Sequence, residues 1–285
     1  IVQSGNDASV VVAEALAGSE AEFARRMTER AKELGLTNTN FVNATGWPDP
    51  DHYSTARDLA LLAEHLIVDF PQYYHYYSQL EFTWNGIKQG NRNPLLYKNM
   101  NVDGLKTGHT EAAGYGLTAS AERDGRRLIL VVNGLPDVNA RSEEGERLIE
   151  WGFREFDTYT LFDAGETVET AAVWQGDPAT VPLVPASDVA MTLRRAARDD
   201  LKVAVRVTEP VSAPVAKGQA IATLVVSVPG VPDREIPLIA GADVERQGFF
   251  GRVYSSAKAL VFGVFDRGEE IATAEAADGD AAVQQ

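Results

Sequence analysis

Apolar positions recur at helical spacing through the first third of the chain. Asn6 to Leu16 carries a short apolar run that Gly18 ends, and Ser19 with Glu22 forms a capping box that opens a helix closed by Gly35. Phe23, Met27 and Leu34 are its expected buried stripe. Thr55 with Asp58 forms a second capping box, ahead of a helix carrying Leu59, Leu62 and Leu66 and bounded by Pro71. The period then shortens. Tyr115 to Ala121 and Arg127 to Asn133 suit strands, and Asp124-Gly125 between them predicts an antiparallel hairpin. Leu148, Trp151 and Phe156 return to helical spacing and are expected to close a first domain over residues 1–157.

Beyond that point short β-branched runs, Val203 to Val207, Ala220 to Val228 and Glu235 to Ile239, are punctuated by prolines, and residues 158–245 are expected to form a small all-β sandwich domain. Phe250, Val253, Tyr254, Ala257, Leu260, Val261, Val264 and Phe265 then share one helical face, opposite Arg252, Ser255, Ser256 and Lys258. Residues 246–267 therefore read as an amphipathic helix that either lies on a membrane surface or packs on the β domain. From Gly268 the chain is rich in Ala, Asp and Glu without period, and 268–285 is expected to be a disordered tail.

Composition narrows the classes. The 285 residues are 45% hydrophobic and 24% charged, an ordinary globular balance with length for two domains. A net charge of −15 argues against a nucleic-acid partner, which needs clustered cations. The absence of cysteine excludes disulfides, thiolate metal sites and a cysteine nucleophile. No run of about 18 apolar residues spans a membrane. The start at Ile1, running straight into a polar motif, reads as a truncation with any export signal upstream.

Two short motifs carry the chemistry. Ser4-Gly5-Asn6 precedes the first helix, and Lys106-Thr107-Gly108 precedes the strand at Tyr115. Either alone is better explained as turn chemistry. His52, His65 and His75 have no metal-ligand spacing, so neither a metal nor a cofactor is assigned. Tyr73, Tyr74, Tyr76 and Tyr77 are expected to pack around the helix end near Pro71.

In this order and separation the two motifs match the second and third motifs of the serine penicillin-binding enzymes, whose first is Ser-x-x-Lys. Thr37-Asn38-Thr39-Asn40-Phe41, Tyr53-Ser54-Thr55-Ala56-Arg57-Asp58, Asn91-Arg92-Asn93 and Asn101 to Thr110 resemble the low-molecular-mass D-alanyl-D-alanine carboxypeptidases, peptidase family S11, with similarity from Ile1 to about Phe265. The resemblance implies an α+β fold: a partial penicillin-binding/serine β-lactamase-like domain, then a small β-sandwich and the amphipathic helix. It implies a periplasmic enzyme, peripherally attached to the inner membrane through residues 249–265, that removes the terminal D-alanine from peptidoglycan stem peptides through an acyl-enzyme and binds β-lactam antibiotics.

By the same resemblance Ser4 and Lys106 relay the proton, Asn6 holds the substrate amide, Thr107 binds the carboxylate end, Gly108 lets the substrate strand approach, and the backbone N–H of His109 is half of the oxyanion hole. Arg92 and Arg141 occupy positions like the family's substrate-side arginines, each otherwise explained as a surface arginine. Thr45 stands where several relatives have a histidine. The nucleophile serine and base lysine are expected upstream of Ser4, so the chain as it stands is expected to be inactive; its only Ser-x-x-Lys, Ser255 to Lys258, is out of order and reads as coincidence. The rivals are a β-lactamase, which shares these motifs, and a non-catalytic peptidoglycan-binding scaffold.

Overall fold

A computed structural model describes residues 1–208, 210–253 and 256, and the chain divides after Arg154 into two units. The first is α+β. Helix α1 (Asn6–Ala17) ends at Gly18, whose φ of +79° places its N–H on the Glu14 carbonyl. In α2 (Glu20–Glu33) the Ser19 hydroxyl accepts from the Glu22 N–H at 3.2 Å, and in α3 (Ala56–Asp69) Thr55 does the same for Asp58 at 3.1 Å, as both capping boxes predict. Asp58 is buried and accepts from the Asn38 N–H and the Thr39 hydroxyl, which hold its carboxyl below the usual range.

The buried stripe expected on α2 is displaced. Ala24 and Ala31 are the buried positions, whereas Phe23, Met27 and Leu34 are half-buried. Phe23 and Met27 line a pocket of about 740 Å³ together with Leu59, Leu62 and Leu66 of α3, so these side chains stay half-buried.

A single turn α4 (Pro71–Tyr74) leads to a hairpin, β1 (Glu81–Trp84) and β2 (Ile87–Gly90), and then to the sheet that organises the unit. Its three antiparallel strands are β3 (Val102–Thr110), β4 (Gly114–Arg123) and β5 (Arg126–Leu135), in the order β3-β4-β5, which leaves β3 on an edge. Helix α5 (Val138–Glu155) covers one face through Ile149, with Leu95, Leu117, Ala119 and Ala121 in the core beneath it. Phe156, expected at the end of that helix, instead opens a strand, because its backbone pairs with that of Arg194 in the second unit.

The tyrosine cluster after Pro71 splits. Tyr74 and Tyr77 are half-buried with ring centroids 5.7 Å apart, while Tyr73 and Tyr76 are exposed. His52 accepts from the Val42 N–H and packs edge-on against Phe41, and His65 pairs with Asp69 one turn on.

The second unit is β-rich. A five-stranded antiparallel sheet runs β11 (Lys202–Val207), β12 (Ala220–Val228), β13 (Val231–Ala240), β9 (Thr180–Pro185), β7 (Glu169–Ala172); β6 (Phe156–Phe162) pairs with β10 (Val189–Arg194), and β8 (Gly176–Asp177) with β14 (Glu245–Arg246). Leu183, Leu224 and Leu238 of the large sheet pack with Met191 and Leu193 of β10 in one core, the arrangement of a sandwich. Residues 249–253 are helical and expose Phe249, Phe250 and Val253. Tyr254 and the rest of the expected amphipathic face, the tail 268–285, and Ser255 and Lys258 lie outside the described residues.

Candidate active site

The edge position of β3 decides where the site forms. Its far side pairs with no strand among the described residues, so the backbone of Lys106 to Thr110 borders a groove that Ser4, Asn6, Arg92 and Arg141 also line. All eight site residues expected from the sequence, Thr107, Gly108 and His109 included, thus stand in one groove, although Ser4 and Lys106 are about a hundred positions apart.

Ser4 is held at φ +58°, in the left-handed region that a non-glycine residue enters at a cost of about 1–2 kcal/mol, with its N–H on the Ile1 carbonyl at 3.1 Å. This sharp turn sets the serine just before α1, whose first residue is Asn6. On β3 the alternation of the pleat sends Lys106 and Gly108 to one face and Leu105 and Thr107 to the other, where both are buried. A side chain on Gly108 would meet nothing within 4 Å, so the groove is open there to an approaching backbone.

The Lys106 ammonium donates to the Thr107 carbonyl. Partial desolvation in the groove, and then the neighbouring positive charges of Arg92 and Arg141, move its pKa below the ordinary lysine value. A lysine so placed gives up its proton more readily than one on an open surface.

Arg141, on α5, is only 6% exposed. Its Nη2 donates to the Arg92 carbonyl at 3.4 Å, its guanidinium lies 5.6 Å from the Tyr115 ring centre, and its Nε has no hydrogen-bond partner among the described residues. Burial lowers its pKa. Arg92 is exposed at the groove. Tyr115 also stacks on the His109 imidazole, centroids 3.9 Å apart, fixing that ring away from free rotation.

Several groove residues carry no motif. Asn133 of β5 reaches over Gly116, where an added side chain would come within 2.6 Å of its Oδ1. Thr45, Gly46 and Trp47 form a turn on the groove wall. Behind β3, Arg127 forms an ion pair with Asp103 at 2.8 Å and donates to Ser120, and the Tyr74 hydroxyl donates to Asp103 at 2.8 Å, tying α4 to all three strands just ahead of Lys106. Of these, Asp103 lies in a family-like stretch, Thr45 at a position where relatives carry histidine, Tyr74 in the tyrosine cluster, and Ser120, Arg127 and Asn133 in predicted strands, whereas Trp47 has no signal in the sequence.

The chemistry available is peptide-bond recognition with acyl transfer in view: an open strand edge, hydroxyl and amine groups for proton movement, and a fork of guanidinium groups for a carboxylate.

The peptidase S11 family described as D-alanyl-D-alanine carboxypeptidase matches residues 1–136, and the family described as penicillin-binding protein 5, C-terminal domain, matches residues 156–246. The chain is 44% identical over 256 residues to D-alanyl-D-alanine carboxypeptidase DacC of Escherichia coli (strain K12), covering 89% of this chain and 64% of that protein. It is 39% identical over 268 residues to DacA of Haemophilus influenzae, covering 93% and 68% respectively. The chain thus spans about two thirds of the length of these relatives. The solved structure of penicillin binding protein 5 from Haemophilus influenzae superposes with a TM-score of 0.76 at 40% identity, over 85% of this chain and 72% of the other.

Proposed function

Because the chain belongs to the D-alanyl-D-alanine carboxypeptidases, in the group that joins an S11 domain to a penicillin-binding-protein-5 C-terminal domain, we propose that its groove binds the D-Ala-D-Ala end of peptidoglycan stem peptides and β-lactams that mimic it. The observation that carries this reading is the convergence of Ser4, Asn6, Lys106, Arg92 and Arg141 along the free edge of β3.

In this reading the substrate adds to β3 as a further strand, with Gly108 leaving room for its backbone and the Asn6 carboxamide holding its amide. Thr107, Arg92 and Arg141 take the terminal carboxylate, which a guanidinium fork suits. A Ser-x-x-Lys serine attacks the carbonyl between the two D-alanines, the C–N bond breaks, and the proton travels through Ser4 and Lys106 to the departing D-alanine amine. The His109 N–H and the nucleophile's own N–H stabilise the oxyanion, and water then hydrolyses the acyl-enzyme. The groove residues named here bind, orient and move the proton. Its sole Ser-x-x-Lys begins at Ser255, after both other motifs. The exposed Phe249, Phe250 and Val253 support attachment to the outer face of the inner membrane, and so a periplasmic location.

Labelling with a fluorescent penicillin tests the reading. The 285-residue chain alone is expected to stay unlabelled and the same chain extended upstream by a Ser-x-x-Lys segment to label. Labelling of neither would leave a non-catalytic binding protein, and labelling of the short chain would relocate the nucleophile.

A further inference from the structure

The first unit's sheet has a second outer strand, β5, whose far side pairs with no strand among the described residues. Both of its faces are covered. Leu130 and Val132 pack into the α5 core, and Gly152 of α5 lies so close that an added side chain would come within 2.8 Å of Leu128. Ile129 and Val131 take the alternate face, where Val131 stands opposite Thr118 and α3 packs. What stays open is the edge itself: Leu128 to Val132 are all half-buried, whereas Leu117, Ala119 and Ala121 of β4 are buried.

Outer strands that face water are normally blunted by charges, prolines or bulges, since their unpaired N–H and C=O groups template another strand. β11, an outer strand of the second unit's large sheet, follows that rule with exposed Lys202 and Arg206. β5 does not: Leu128 to Val132 form an unbroken apolar run with neither charge nor proline. Its charges lie at the ends, Arg126 and Arg127 before the run and the exposed Asp137 just past the strand. Antiparallel pairing of β5 with itself therefore brings each copy's arginine end beside the other copy's Asp137 end. The edge is about 34 Å long, and a helix layer on either side makes it roughly 25 Å high. That is on the order of 800 Å², the area each partner of a stable pair contributes.

We propose that the β5 edge is an interaction surface for a second copy of this chain, the two copies joining about a two-fold axis into one six-stranded antiparallel sheet. The strand order becomes β3-β4-β5-β5-β4-β3. Both grooves then stay open at the outer edges, about 24 Å apart across the shared sheet.

Sedimentation of the 285-residue chain over a concentration series, together with amide hydrogen exchange, tests this. The expected result is a reversible monomer–dimer equilibrium in which the amides of residues 128–132 exchange more slowly as concentration rises. Val131→Lys, which sets a charge beside the joint, is expected to raise the dissociation constant at least about tenfold with an unchanged circular dichroism spectrum. Should that variant fail to fold, the exchange data on the unaltered chain decide alone. A monomer at every concentration would overturn the proposal. So would a dimer whose protection falls on the β1-β2 hairpin, with its exposed Trp84 and Ile87, and not on β5. Slow exchange of β5 at all concentrations would mean that a segment of the same chain occupies the edge, and would overturn it as well.

Discussion

The side chain of Asn93, wholly buried, donates from Nδ2 to the carbonyl oxygen of Gly104 at 2.9 Å, two residues before Lys106. Its Oδ1 meanwhile accepts from the Leu95 N–H at 3.1 Å, so one carboxamide anchors the start of β3 to the loop that carries Arg92. Asn93→Ala leaves a buried carbonyl and a buried N–H without partners, and is expected to destabilise the protein by about 1–3 kcal/mol. Urea unfolding followed by circular dichroism checks this. Asn93→Asp, which keeps the acceptor and loses the donor, is expected to cost nearly as much.

The Tyr74, Asp103 and Arg127 network predicts a specific alkaline behaviour. Burial, and then the hydrogen bond and charge of Asp103, raise the Tyr74 pKa, and burial raises that of Tyr77. A raised folded value means that the folded state keeps its proton where the unfolded chain has lost it. The associated stability is therefore complete below the unfolded tyrosine value of about 10 and falls as pH rises beyond it. Urea midpoints between pH 8 and 11.5 should drop above pH 10, and Tyr74→Phe should flatten the drop. A double-mutant cycle of Tyr74→Phe with Asp103→Asn should give a coupling of about 0.5–2 kcal/mol.

The helices were legible because their start signals are local: Ser19 with Glu22 and Thr55 with Asp58 each cap within four residues, as found. So was the β4-β5 hairpin, whose turn residue Asp124 sits at φ +51°. What local pattern cannot convey is partnership at long range. Phe156 fits the helical spacing of Leu148 and Trp151, but pairing with Arg194 decides its conformation. Phe23 and Met27 have the pattern of a buried stripe, yet burial depends on what lies opposite, and a cavity does. In the groove the motif residues could be named because their order and separation resemble a family's. Asn133, Tyr115 and Trp47 enter it through strand register and a side-chain-braced turn, neither of which leaves a trace in spacing.

Carboxylate recognition should depend on Arg141. Its guanidinium is buried, and its Nε has no partner among the described residues, a state that an incoming carboxylate relieves and a neutral group does not. A D-Ala-D-Ala peptide with a C-terminal amide is expected to bind the chain at least about tenfold more weakly than the free acid. In Arg141→Gln the difference should shrink to within about twofold, because the fork is gone for both ligands. Calorimetry with the two peptides gives the comparison directly, and an unchanged ratio would place the carboxylate elsewhere in the groove.

Arg92 is expected to act on Lys106 as well as on ligand. Desolvation comes first among the causes lowering the lysine pKa, with repulsion from Arg92 and then Arg141 adding to it. Arg92→Gln removes one repulsive charge and leaves the groove's shape nearly intact, so the Lys106 pKa should rise toward the ordinary value of about 10.4. Because the folded value is lowered, the unfolded chain binds more protons in the interval between the two values, and stability rises with pH across that interval. The rise should be shallower in Arg92→Gln and absent in Lys106→Met, which should also be more stable than the unaltered protein at neutral pH. Titration of the Lys106 Nζ resonance reports the shift itself, and an unmoved resonance in Arg92→Gln would mean that burial alone sets the proton affinity of this lysine.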